Sequence, residues 1–114
     1  MKDCIFCKII DGEVPSEKVY EDDILYAFRD VNPQAPTHVL IVPKKHIETL
    51  LELGEEHRDL MGAIYLAANH IARKEKIAKK GFRVVANCNE DAGQTVFHLH
   101  FHLLGGRQLG WPPG

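Results

Sequence analysis

Hydrophobic and polar positions divide the chain into short apolar runs separated by polar or proline-containing connections, a pattern typical of a sheet of brief strands. The first two runs flank Glu21-Asp22-Asp23 and predict a hairpin. Pro33 and Pro36 cannot continue a strand ladder before the third run, because proline lacks the backbone N–H. Five strands are predicted in all: Lys18–Tyr20, Ile24–Arg29, His38–Val42, Phe82–Asn87 and Val96–Leu104.

One long segment has the period of a helix instead. Its apolar residues recur at helical spacing and predict a helix from about Glu55 to Lys79, with Gly81 as the stop. A short helix is predicted over Cys4–Asp11. Because the strands have hairpin-like neighbours, we expect an α+β fold with a five-stranded antiparallel sheet, one long helix and one short helix, in a single domain over residues 1–114.

Composition narrows the class of protein. The 114 residues are 45% hydrophobic and 26% charged, as in an ordinary globular domain, and the net charge of −2 gives no basic field for nucleic acid or a membrane surface. A small phosphorylated ligand held by local groups stays possible.

The start of the chain lacks the apolar run of a signal peptide, and no stretch approaches the roughly 20 apolar residues that span a bilayer. We therefore expect a cytoplasmic protein with reduced thiols.

The predicted last strand carries the most distinctive pattern. Apolar Phe97, Leu99, Phe101 and Leu103 alternate with histidines, so the two sets should lie on opposite faces. Neighbouring imidazoles on a strand would lie about 6.5–7 Å apart. Neutral imidazole can attack phosphorus, move protons or bind zinc, whereas the plainer alternative is a solvent-facing polar side. Three histidines in strict alternation favour a functional face: His98, His100 and His102.

A polar connection, residues 87–95, leads into this strand. Gly93 allows close backbone approach, and the N–H groups after it, the Gln94 amide and the Thr95 hydroxyl could hold phosphate oxygens. Such a loop can also be merely a turn. Its position beside the histidines favours the functional interpretation.

Cys4 and Cys7 form a CxxC pair near the start of the chain. Two cysteines supply half of a tetrahedral zinc shell, with His46 and His98 as candidate partners. A thioredoxin-like redox pair is an alternative, but it belongs after a strand in a βαβ unit, which is not predicted at residue 4. Two inert thiols are the remaining alternative.

The chain resembles the histidine triad (HIT) hydrolases and transferases, and within them the Hint branch. The residues that carry the resemblance are His98-Leu99-His100-Phe101-His102-Leu103-Leu104, the stretch from Phe28 to His38, and the ending from Gly105 to Gly114. The resemblance covers almost the whole chain. It implies a HIT-like fold, purine-nucleotide binding, and hydrolysis of nucleoside phosphoramidates in which AMP or GMP is linked to an amine.

The resemblance also implies individual roles. His100 matches the nucleophile that forms a nucleotidyl-histidine, His102 a hydrogen-bond donor to phosphate, and His38 a further histidine beside them. Asp30 matches the carboxylate that holds the ribose hydroxyls. Asn87, Gly93 and Thr95 match phosphate-side contacts, with Thr95 also in the catalytic group, and the loop residues themselves add Gln94 to the predicted nucleotide contacts. Phe28 and Val31 match the stretch that packs around the base. The apolar residues there, with Ile9 and Val14, could stack a purine or equally belong to the core.

The CxxC pair departs from many Hint proteins and matches zinc-carrying, bacterial-type members, which implies the ligands Cys4, Cys7, His46 and His98. His98 would then be structural, leaving two triad histidines for chemistry. The family further implies a homodimer whose two sheets join into one, with the Trp111 segment near the active site.

Two other hypotheses stay open: a purine-nucleotide-binding regulatory or interaction protein with incidental hydrolysis, and a zinc-catalysed hydrolase using the histidine face.

Overall fold

The computed structural model describes residues 3–114, and within them one antiparallel sheet holds five strands. The bounds are β1 Lys18–Glu21, β2 Leu25–Arg29, β3 Thr37–Pro43, β4 Phe82–Ala86 and β5 Phe101–Gly105. The strands lie in the order β1-β2-β3-β5-β4, so the last strand in sequence is inserted between the third and fourth. The predicted fold class is confirmed.

The register between β3 and β5 places two histidines close together. His38 lies opposite Leu104, and Leu40 lies opposite His102. The two histidines are therefore diagonal neighbours, which point to the same face of the sheet and lie within reach of each other.

Two helices cover opposite faces of the sheet. Helix α1, Ile5–Ile10, packs its buried Phe6 and Cys7 on the face that carries Tyr26, Phe28, Leu40 and Val42. Helix α2, Arg58–Lys74, follows a 3₁₀ turn at Glu55–His57 and packs on the other face. No helix among residues 3–114 is both long and apolar enough to cross a membrane. The core beneath α2 contains Leu25, Val39, Ile41, Ile64, Ala68, Ile71, Leu99, Phe101 and Leu103.

The long helix ends before the predicted Lys79. Lys76 adopts a left-handed backbone with φ of 62°, and the N–H of Ile77 donates to the carbonyl of Ala72 at 3.0 Å. These are the features of a Schellman C-cap, in which the buried Ile77 closes the helix against the core. Gly81 was expected to stop the helix, but it lies beyond this cap.

The last strand begins later than predicted, at Phe101 rather than Val96. Leu99, Phe101 and Leu103 are buried on the α2 side as expected, but Phe97 is 47% exposed. The N–H of Leu99 donates to the carbonyl of Ile47 at 2.6 Å, a partner outside the sheet strands. The segment carrying His98 and His100 is therefore an irregular lead-in to β5.

Candidate active site and metal centre

The ring of His100 is fixed by a hydrogen bond to the backbone of His98. Its Nδ1 lies 2.6 Å from the His98 carbonyl oxygen. A carbonyl only accepts, so Nδ1 must carry the proton and a neutral His100 ring has its lone pair on Nε2. Burial lowers the pKa of His100, which favours that neutral form near pH 7. This geometry provides an oriented, unprotonated imidazole nitrogen, as nucleophilic catalysis requires.

Phe6 of α1 packs against the rings of both His98 and His100. Its centroid lies 5.0 Å from His100 and 6.0 Å from His98, edge-on in both cases, and 5.4 Å from Phe28. Phe6 is buried on α1, between Cys4, the N-cap residue of that helix, and Cys7 within it. One apolar side chain therefore restrains the rings on the α1 side of the sheet.

His38 and His102 form a second ordered pair. The Gln34 N–H donates to His38 Nδ1 at 3.0 Å, so a neutral His38 carries its proton on Nε2. That Nε2–H donates to His102 Nδ1 at 2.9 Å, with an Asp30 carboxylate oxygen 3.4 Å from the same nitrogen. His102, accepting at Nδ1, must then keep its own proton on Nε2. The pair leaves one defined N–H donor on His102.

Burial keeps this pair neutral. Burial, and after it the neighbouring His100 and His38, lower the pKa of His102 to about 4 against an opposing effect of the Asp30 charge. Burial also lowers the pKa of His38, opposed in part by the negative charge of Asp30. The ring centroids of His100 and His102 lie 5.1 Å apart, so the unprotonated nitrogen and the N–H donor belong to neighbouring rings.

Cys4, Cys7, His46 and His98 form a compact cluster, with their ligand atoms all within 4.8 Å of one another. The Nδ1 of His98 lies 3.3 Å from Cys4 Sγ and 3.6 Å from Cys7 Sγ, and His46 Nδ1 lies 3.5 Å from Cys7 Sγ. The carbonyl of Pro43 accepts from His98 Nε2 at 2.7 Å. His98 therefore presents a lone pair at Nδ1 to the two sulfurs.

These residues fit zinc. Zn–S bonds of about 2.3 Å and Zn–N bonds of about 2.0 Å at tetrahedral angles would separate sulfur from nitrogen by about 3.5 Å, which is close to the three spacings seen. Burial, and then the hydrogen bond and charge of Cys4, raise the pKa of the Cys7 thiol, and a bound cation would oppose that rise. The His98–Pro43 bond is the kind of outer contact that orients a ligating histidine.

Asp30, His38 and His102 also bring three ligand atoms within 4.8 Å of one another. Their hydrogen bonding argues against a metal. His38 Nδ1 already accepts from Gln34, so a cation on Nε2 would require the loss of the ring's last proton. This group is better described as a hydrogen-bonded chain.

The loop before the histidines is held mainly by its own residues. The Gln94 amide nitrogen donates to the carbonyls of Glu48 and Val96, and its oxygen accepts from the Asn89 N–H. The backbone N–H groups of Gly93 and Gln94 also close turns within the loop. We therefore expect Gln94 to support the loop, and exposed Thr95 to offer a hydroxyl to a ligand.

Comparison with known proteins identifies the family. A HIT domain model matches residues 11–109. The chain belongs to the HIT domain family. It is 49% identical to the purine nucleoside phosphoramidase of Escherichia coli strain K12 over 109 residues, covering 96% of this chain and 92% of that protein. It is 46% identical to the 14 kDa zinc-binding protein of Brassica juncea, covering 98% of this chain and 100% of that protein.

A solved HIT family hydrolase from Legionella pneumophila Philadelphia 1 has the same fold. Its TM-score to this chain is 0.96 at 49% identity, covering 98% of this chain and 100% of that one. The resemblance to the HIT family is thereby confirmed.

Most of the expected site residues of this HIT domain lie on the α1 face. His38, His100, His102 and Asp30 are brought together, and the four cysteine and histidine ligands form the adjoining cluster. Phe28 is buried under Phe6, and Val31 is 99% exposed directly after Asp30. Trp111 is 83% exposed, with the Arg83 guanidinium of β4 6.0 Å from its ring. Roles for these residues stay predictions.

Sequence reasoning missed three groups that hold the HIT site in place. They are Phe6, the backbone N–H of Gln34 and the carbonyl of Pro43. Phe6 could have been noticed as an apolar residue inside the CxxC pair. The other two are main-chain groups, which the residue types in the sequence do not reveal.

Proposed function

We propose that this protein hydrolyses purine nucleoside phosphoramidates, AMP or GMP joined to an amine, through a covalent nucleotidyl-His100 intermediate. The observation that carries the proposal is the Nδ1–H bond of His100 to the His98 carbonyl, which leaves the Nε2 lone pair for attack. The 49% identity to a purine nucleoside phosphoramidase supports the choice of substrate class.

The chemistry needs two displacements at the same phosphorus. His100 Nε2 attacks the α-phosphorus, the bond from phosphorus to the amine nitrogen breaks, and the amine departs with a proton taken from solvent. Water then attacks the phosphorus and gives up a proton to solvent, the bond from phosphorus to Nε2 breaks, and the nucleoside monophosphate leaves His100 with its lone pair restored. The Nε2–H of His102 donates to a phosphate oxygen, where negative charge grows as each transition state forms.

The nucleotide would be held by groups around this pair. The Asp30 carboxylate accepts the Asn32 N–H at 2.8 Å and keeps lone pairs free for two ribose hydroxyls. Exposed Val31 offers apolar surface to the base, with Phe28 buried behind the site. Asn87, Gly93 and Thr95 are assigned to the phosphate side, with Gln94 supporting their loop.

A zinc ion would bind Cys4, Cys7, His46 and His98 and supply a cross-link between α1 and the histidine segment. Four protein ligands make a closed shell, whereas a catalytic zinc keeps one position for water or substrate. The cluster therefore supports a structural metal beside the active site, and it disfavours the zinc-catalysed alternative.

We also propose that two copies associate through β4 and α2. β4 is an edge of the described sheet, and Tyr65 and Leu66 expose 52% and 70% of their surface on α2. Tyr65 contacts Phe101 of β5, the strand next to β4, and exposed apolar residues together with an open sheet edge suit a second copy.

The three free cysteines are consistent with the reducing cytoplasm as the site of action.

Turnover of an AMP-amine substrate by His100→Ala tests the function. We expect a loss of at least about 1000-fold in kcat, because no other nitrogen can take the place of the nucleophile. His70→Ala is the matched control, since His70 is an exposed α2 histidine that packs on Tyr20. Near-normal turnover by His100→Ala would reject His100 as the nucleophile. Tight purine-nucleotide binding with very slow turnover of every phosphoramidate by the unsubstituted protein would favour the nucleotide-binding alternative.

A further inference from the structure

Two groups favour the Nε2–H tautomer of His38: the Asp30 carboxylate, 3.4 Å from Nε2, and the Gln34 N–H, which donates to Nδ1 and is the one that keeps a proton off that nitrogen. If the Gln34 N–H moved away from His38 Nδ1, the proton could occupy either ring nitrogen. With the proton on Nδ1, His38 would accept at Nε2, and the bond to His102 would reverse direction. His102 would then lose its Nε2–H, the donor assigned to the phosphate.

Gln34 lies in a connection that has no strand partner of its own. Residues 30–36 join β2 to β3, and Gln34 and Pro36 in this connection are both exposed. The strand ladder begins only at Thr37, opposite Gly105. Something else must therefore fix the Gln34 backbone.

Arg107 makes that contact from the other end of the chain. Its Nε and Nη2 donate to the Gln34 carbonyl at 3.1 and 2.9 Å, and its Nη1 donates to the Gln108 carbonyl at 2.9 Å. The planar guanidinium thus donates two hydrogen bonds to one carbonyl oxygen, a geometry that lysine cannot reproduce. Such charge-assisted bonds are stronger than neutral ones.

Gly106 adds an independent contact to the same connection. A Cβ on Gly106 would lie 2.8 Å from Pro36 Cβ, and its φ of +93° is one that other residues rarely adopt. The backbone at residues 106–107 therefore packs directly on residues 34–36.

We propose that Arg107 is a positioning residue for the active site. It holds the Gln34 main chain so that the Gln34 N–H keeps His38 Nδ1 unprotonated, which in turn keeps the proton of His102 on Nε2. The effect on turnover rests on the proposed function, whereas the effect on the tautomers does not.

Histidine tautomers can be read by long-range proton–nitrogen NMR of protein labelled with ¹⁵N in histidine. We expect the unsubstituted protein to have the proton on Nε2 in both His38 and His102. Arg107→Ala should mix the tautomers and lower kcat by about 10-fold to 100-fold, as loss of outer orienting contacts does. Arg107→Lys should restore only part of either property, and added guanidinium should partly rescue Arg107→Ala.

Arg83→Ala is the matched control, because Arg83 also donates to a backbone carbonyl, that of Gly110 at 2.9 Å. It should leave both tautomers unchanged. Unaltered tautomers in folded Arg107→Ala and Arg107→Lys would overturn the proposal. Shifted tautomers together with full turnover by His100→Ala would instead uphold the role of Arg107 and reject the proposed function.

Discussion

The carbonyl oxygen of His98 lies 2.6 Å from Nδ1 of His100, so the residue that offers its ring to the metal cluster also fixes the ring of the proposed nucleophile. The His98 ring is held from both sides, by Pro43 at Nε2 and by two sulfurs near Nδ1. The candidate zinc cluster and the proposed active site are thus joined by one residue.

Zinc removal should mainly destabilise the fold. A ligand present at about 100 times its Kd stabilises by about 2.7 kcal/mol, and about 1 kcal/mol shifts the Tm of a domain near this size by about 4 °C. We therefore expect chelation to lower Tm by on the order of 10 °C, as followed by calorimetry. Metal analysis should find one zinc per chain in the unsubstituted protein.

The Cys7→Ser variant should bind no zinc, and its Tm should not fall when a chelator is added. Cys88→Ser is the control, because Cys88 lies outside the cluster and this variant should keep both the zinc and the fall in Tm with chelator. A Tm unaffected by chelation in a zinc-loaded sample would contradict a structural role for the metal.

Acid should destabilise the protein through His102. Its pKa is about 4 when folded and near 6.5 when unfolded, so between these values the unfolded chain takes up a proton that the folded chain does not. The stabilising contribution of neutral His102 is present above about pH 6.5 and is lost as the pH falls toward about 4. Urea unfolding at several pH values in this range should show that the free energy of unfolding depends less steeply on pH in His102→Gln than in the unsubstituted protein. An equally steep pH dependence in both proteins would show that folding does not lower the pKa of His102.

Phe6→Ala should affect both sites at once. Removing a buried phenylalanine side chain costs about 3–5 kcal/mol, and here the lost ring contacts both His98 and His100. We expect a large fall in unfolding free energy and a lower kcat in the fraction that stays folded. Ile5→Ala, on the exposed side of the same helix, should change both only slightly. Similar losses in the two variants would argue against a special role for the Phe6 ring.

The sequence was informative where a residue type itself dictates the environment. Leu99 and Leu103 had to be buried together, and two cysteines with two spare histidines do come together as a possible zinc shell. The start of β5 was misjudged, because alternation does not reveal that the N–H of Leu99 bonds to Ile47 outside the sheet. The helix end was misjudged because Lys76 adopts the left-handed conformation usually given to glycine.

The active-site hydrogen bonds were beyond sequence reasoning for a related reason. Gln34 and Arg107 are 73 positions apart, and their contact joins a side chain to a backbone carbonyl. Any residue in place of Gln34 could supply that carbonyl. The pairing therefore leaves no pattern along the chain.

The most direct test of the account is to trap the intermediate. The enzyme should be mixed with a slowly hydrolysed AMP-amine substrate, quenched, digested and examined by mass spectrometry. We predict an adenylyl group on the peptide that contains His100, assigned by fragmentation to that histidine and absent from His100→Ala. An adduct on another residue, or product formation with no adduct under conditions that preserve phosphohistidine, would contradict nucleophilic attack by His100.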